Sequence, residues 1–95
     1  MKKPYVIVRT YSAGVFAGEM AKRNGKEVEL ENARRLWYWK GAASLSELAV
    51  DGTRLPNECK FPVSVPHLIV LEAIEILDVS VKARKSIEGV PVWRA

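Results

Sequence analysis

The pair Asn24-Gly25 constrains this chain more than any other short stretch, because it lies inside VFAGEMAKRNGKEVEL, a run whose flanks read as strands. Both residues tolerate the left-handed backbone that a two-residue hairpin loop demands. With Asn24 and Gly25 as the loop, Lys22 faces Glu27 and Ala21 faces Val28, which pairs opposite charges and two apolar groups across the strands. A hairpin here commits the first third of the chain to antiparallel sheet.

The preceding residues extend that sheet. YVIVRTYS, residues 5–12, is rich in β-branched and aromatic side chains, and a period of two puts Tyr5, Ile7, Arg9 and Tyr11 on one face. Val6, Val8, Thr10 and Ser12 fall on the other. Neither face is purely polar, so both are expected to be covered, with Arg9 and Tyr11 at the end that reaches water or a ligand. Gly14 then supplies the positive φ that a tight SAGV turn needs. The expected meander runs over 5–12, 15–23 and 26–31.

After Asn32, ARRLWYWK is again strand-like, and alternation sets Arg35, Trp37 and Trp39 opposite Arg34, Leu36 and Tyr38. Ser44 and Glu47 form the S-x-x-E of a capping box, which starts a two-turn helix that Asp51-Gly52 stops. Residues 51–66 contain three prolines and read as a surface excursion with one short edge strand near Phe61 to Val65. HLIVLEAIEILDV, 67–79, fits a buried strand or a helix, and its β-branched content favours strand. Ser80 can cap a final helix carrying Ala83 and Ile87 and ended by Gly89; the VPVW tail is expected to be extended, with Trp93 docked on the body. The fold class expected is α+β and mostly β, a small antiparallel sheet with two short helices in a single domain over 1–95.

A hydrophobic content of 48% with 27% charged residues belongs to a folding chain rather than a disordered one. The formal charge of +4 favours anionic partners mildly, since 11 acidic residues are interleaved with 15 basic ones. KARK at 82–85, the longest cationic cluster, reads as a solvated helix face. One cysteine excludes an intrachain disulfide and fits a reducing compartment. The apolar run YVIV is too short for a signal peptide, and Glu72 and Glu75 interrupt LIVLEAIEIL, which is half the length of a membrane span. An intracellular protein without membrane attachment is expected.

Catalytic equipment is thin. His67 and Cys59 are the only residues of their kinds, no spacing fixes them near each other, and they supply no metal-ligand cluster. Glu72, Glu75 and Asp78 would share a helix face, but on a strand Glu72 and Glu75 point apart. No enzyme, metal or cofactor is expected.

RRLWYWKGAASLSELA, 34–49, is the best candidate for a site. A helix start at Ser44 can receive an anion, Gly41 lets backbone approach, and Arg9, Arg34 and Arg35 can fork onto phosphate. Trp37, Tyr38 or Trp39 can stack on a base, and Tyr11 is counted among the ligand-binding residues. The competing explanation is structural: a small β domain needs large core residues, and Glu47 competes for the helix-start amides.

VRTYSAGVFAG, ARRLWYWKGAASLSELAVDG, NECKF and AIEIL together resemble a family of small proteins encoded by tailed bacteriophages and prophages. The resemblance implies an accessory protein at work in the cytoplasm of an infected bacterium and brings no catalytic residues. Such proteins act by stoichiometric binding. The expected function is therefore sequestration of a nucleotide-like anion, a cyclic-nucleotide or ADP-ribose-type immune signal, by a homo-oligomer. The alternatives are a module that inhibits a host protein and a single-stranded nucleic-acid-binding protein.

Overall fold

The computed structural model describes residues 3–95; Met1 and Lys2 of the expected 1–95 domain lie outside the described residues. Five strands and two helices follow one another as β1 (Tyr5–Thr10), β2 (Val15–Asn24), β3 (Glu27–Arg35), α1 (Leu45–Asp51), β4 (Val65–Val70), β5 (Ala73–Asp78) and α2 (Val81–Gly89), with a 3-10 turn at Pro56–Glu58. All strand pairs are antiparallel, in the order β4-β3-β2-β1-β5. The class is α+β and mostly β.

That order forces the sheet to roll. β4 and β5 hold opposite edges, four strand spacings apart, which in a flat sheet would be about 19 Å. Only Leu71 and Glu72 join them, and the three Cα steps from Val70 to Ala73 reach about 11 Å at most. The edges must curl toward each other, and the β2–β3 loop meets the start of β5 where the Ala73 amide donates to the Lys26 carbonyl at 2.9 Å.

Rolling gives the two faces different cores. Val6, Val8, Phe16, Val28, Leu30, Ala33, Val70 and Ala73, drawn from all five strands, close on one another inside the curl. On the outer face Tyr5, Ile7 and Ala17 pack under Leu48 and Ala49 of α1, Ile87 of α2, and Leu36, Cys59, Phe61 and Val90. β1 is consequently buried on both sides from Tyr5 to Val8 while Arg9 is exposed, as its two apolar faces required.

The hairpin register departs from expectation. Asn24 pairs with Glu27, so the loop is Gly25-Lys26 and not Asn24-Gly25. Gly25 has φ +61° and Asn24 stays extended, the pattern of a turn that needs positive φ at its first central residue alone. The expected register would have set Arg23 opposite Lys26. In the observed one Lys26 is in the loop, Arg23 faces Val28 and Lys22 still meets a carboxylate, Glu29. A bulge at Ala21 follows, and a second sets Asn32 and Ala33 against Gly18 alone, with Asn32 at φ +51°. That second bulge carries β3 through Asn32 to Arg35, beyond its expected end at residue 31.

Other boundaries also move. β1 ends at Thr10, where the side chain takes the Ala13 amide at 2.9 Å and donates to the Gly14 carbonyl at 2.7 Å, closing a turn in which Gly14 has the expected positive φ, +101°. After Arg35 the chain leaves the sheet, so the strand expected through Lys40 is reduced to one bridge between Tyr38 and Lys60. Phe61 to Val65 forms no edge strand; Phe61 bridges Val92 instead. Residues 67–79 are parts of two strands at opposite edges, and the bend between them carries Leu71 and Glu72, neither of which signals a turn. Pro66 is tolerated because β4 is an edge strand.

Both helices start as the serines predicted. Ser44 Oγ accepts the Glu47 amide at 3.1 Å, and Ser80 Oγ accepts the Ala83 amide at 3.0 Å while donating to Val50 O at 2.6 Å, which ties the end of α1 to the start of α2. Gly89 is the last residue of α2 and Val90 its cap.

Two substitutions test this account. A Cβ at Gly18 would lie 3.0 Å from Ala33 Cα and 3.1 Å from Glu31 O, both backbone, so Gly18→Ala should cost about 1–3 kcal/mol in chemical denaturation. A variant of wild-type stability would show that the bulge relaxes. Ser44→Ala should cost roughly 0.5–2 kcal/mol, and no change would mean that another group caps α1.

Candidate functional site

The eight residues singled out in the sequence do not converge. Arg34, on the face turned toward the helices, is only 5% exposed. Its Nη1 donates to Ile87 O at 2.8 Å, Nη2 to Phe61 O at 3.1 Å and Nε to Pro62 O at 3.1 Å, and the guanidinium lies over the Phe61 ring. Burial lowers its pKa, which nearby Tyr5 and Cys59 partly offset. This arginine is a structural tie with its donors engaged.

Arg9 faces Glu75 across the β1–β5 ladder, Nε to Oε1 at 2.9 Å, an exposed cross-strand ion pair. Gly41 is held against the 53–55 segment, its carbonyl accepting the Arg54 amide at 3.2 Å. Ser44 spends its hydroxyl on Glu47, and α1 is seven residues long. The expected anion site at this helix start, with an arginine beside it, is therefore not assembled. Tyr11 projects from the β1–β2 turn, with its amide donating to Glu72 O at 3.2 Å.

Three of the eight do come together. Arg35, Trp37 and Trp39 line one recess of about 340 Å³ with Leu36 and the 12–15 turn. Alternation brought Arg35 to the face opposite Arg34, where it lies over the Phe16 ring at 4.4 Å and donates Nη1 to Ala13 O at 2.5 Å. The same arginine also borders a second, more apolar groove of about 310 Å³ formed with Phe16, Leu68, Val70 and Leu71. Trp39 packs on the outer-face core, whereas Trp37 is 58% exposed. Trp39 thus serves both the core and the wall of the recess, while Trp37 stands outside the core.

Trp37 has a partner that sequence reasoning did not find. The Trp93 ring stacks on it, centroids 5.0 Å apart and planes 10° from parallel. Lys60 Nζ lies 5.6 Å from each of these two ring centres and 5.7 Å from that of Tyr38. The Tyr38–Lys60 bridge fixes Lys60, and the Trp93 amide is bonded to Phe61 O at 3.0 Å. Docking of Trp93 was legible; its partner lay 56 residues earlier, beyond any local pattern.

The remaining titratable candidates stand apart. Cys59 Sγ is buried beside Lys40 O, Thr53 Oγ1 and Leu55 O at 3.4–3.6 Å, while His67 is exposed on β4, 3.3 Å from Glu29. Among the described residues no group of three His, Cys, Asp or Glu side chains could hold a metal, and no helix is long and apolar enough to cross a membrane.

Replacing Arg34 by Met should cost about 1–3 kcal/mol, because three carbonyls lose a charged donor and Pro62 O is left without one, while Phe61 O keeps the Trp93 amide and Ile87 O the Val90 amide. Arg34→Lys should recover only part of that, since an ammonium cannot reproduce the planar fork. Equal stability of Arg34→Met and wild type in urea would remove this role.

Neither a curated protein nor a solved structure matches the chain. One family model does, over residues 3–87, from just before β1 into the last turn of α2. With that much of the sequence and the rolled sheet covered, the chain belongs to the family described as domain of unknown function DUF6948.

Proposed function

We propose that this is a non-enzymatic binding protein that holds a flat, anionic, nucleotide-like group in the recess of Arg35, Trp37 and Trp39. The observation that carries this reading is the meeting of one exposed guanidinium and two indoles around a single concavity, beside a turn that supplies backbone groups. An indole stacks on any base, and a guanidinium forks onto phosphate. Ser12 gives the walls one hydroxyl, and they carry no imidazole, thiol or carboxylate. That chemistry suits holding a ligand better than converting it.

The resemblance to phage and prophage proteins supports a stoichiometric role in the bacterial cytoplasm, with a nucleotide immune signal of the host as the captured molecule. The recess is open, and a second copy of the chain across it would deepen it, which favours a homo-oligomer as the working form.

Titration with nucleotides, followed by tryptophan fluorescence and calorimetry, should show quenching as a base stacks. Arg35→Ala should weaken that binding by roughly 10–100-fold, the worth of a charge-assisted hydrogen bond. Its stability should fall by under about 1 kcal/mol, since the residue is exposed. No nucleotide binding, together with stoichiometric capture of a host protein on the exposed tryptophans, would overturn this reading in favour of a protein inhibitor.

A further inference from the structure

We propose that the site continues past Trp37 onto the Trp93–Lys60 platform, so that its ligand comprises at least two nucleotide units. The first sits in the Arg35 recess; the second stacks on the Trp37–Trp93 pair with its phosphate at Lys60. This deepens the nucleotide-binding reading and rests on it for the first unit only.

Trp37 belongs to both places, since it lines the recess with Arg35 and Trp39 and stacks on Trp93. A cation is associated with each, Arg35 in the recess and Lys60 at the platform. Trp37, Tyr38 and Trp93 are 58%, 45% and 42% exposed, a cluster of large rings that a chain leaves in water at a cost unless something covers it. Two nearly parallel rings extend naturally to a third flat ring, which is what a base offers.

Charge identifies the rest of the occupant. Among the described residues Lys60, like Lys22, Lys26 and Lys85 and unlike Lys3, Lys40 and Lys82, has no carboxylate within ion-pair distance, and it alone of these lies over aromatic rings. Among the described residues only ring faces engage its ammonium, a weak hold at an exposed place, so Lys60 can turn outward to a phosphate at little cost. Trp93 lies beyond residue 87, where the family match ends, so the second subsite is completed by a segment outside the family's matched region.

A cyclic dinucleotide and a single strand share this chemistry, and ligand length separates them. The probes are adenosine monophosphate, a linear and a cyclic diadenylate, and an oligodeoxyadenylate of about ten bases. The linear diadenylate should bind at least about tenfold more tightly than the monophosphate, the lower range of one added stacked base. Lys60→Gln and Trp93→Ala should each remove most of that gain and leave monophosphate affinity within about twofold, while Arg35→Ala weakens every probe. Lys60→Gln keeps all the rings, so a folding defect in Trp93→Ala would not obscure the result.

A gain complete with the cyclic diadenylate upholds the platform and identifies a compact signal. Affinity that keeps rising with length and falls steeply with salt upholds it and identifies a strand. Equal affinity for one and two units, or a gain that survives both variants, overturns the platform while leaving the recess intact. Diadenylate binding that depends on Lys60 and Trp93 but not on Arg35 overturns the recess and leaves the platform standing.

Discussion

The helical side of this protein depends on a cation that has no anion. Arg34 reaches from β3 across the outer face of the sheet and gives its donors to three carbonyls, of Phe61, Pro62 and Ile87. A buried guanidinium bound only to neutral acceptors is stable because every donor direction it uses is satisfied and the planar group packs over Phe61. In return it removes the need for water at carbonyls from two separate segments, the proline-rich excursion and the end of α2. The Phe61 carbonyl also accepts the Trp93 amide, so the tie that fixes the helical layer continues into the aromatic platform.

Adjacent arginines therefore do opposite work. Arg34 and Arg35 are consecutive on a strand, so the pleat sends one into the covered face and the other to the mouth of the curl. The first is consumed in holding the layers together. The second keeps an exposed guanidinium, steadied by the Phe16 ring and the Ala13 carbonyl, beside two indoles. A shift of one residue in the pairing of β3 would exchange these roles. The bulge that sets Asn32 and Ala33 against Gly18 thus determines which arginine faces solvent.

What could be read from the sequence follows the range of the interactions. The serine caps, the positive φ of Gly14, the meander and the double burial of β1 are settled within a few residues, and the structure has them as expected. The hairpin loop was misread by one residue, because Gly25 alone can satisfy the turn and the like charges of Arg23 and Lys26 disfavour the alternative. The Leu71-Glu72 bend was hidden because its residues are those of a strand. Alternation separated Arg34 from Arg35 correctly, yet only the position of Phe61 and Ile87 decided which was engaged. Arg9 and Ser44 were drawn into the site on residue type, and Glu75 and Glu47 claim them. The Trp37–Trp93 stack joins distant segments, and no periodicity carries such information.

The pairing of β1 with β5 has a consequence for how the molecule is made. Val6 lies opposite Asp78, so β1 waits for a strand synthesised only after all the residues between them. Until then its apolar residues have β2 on one side only, and α2, which covers its outer face, is later still. Contacts so far apart in sequence close slowly, and an uncovered apolar strand is the kind of surface on which nascent chains associate. Chain growth and folding are thereby coupled at β5, and a ribosome that stalls before it would release a polypeptide with β1 still open to chaperones and proteases.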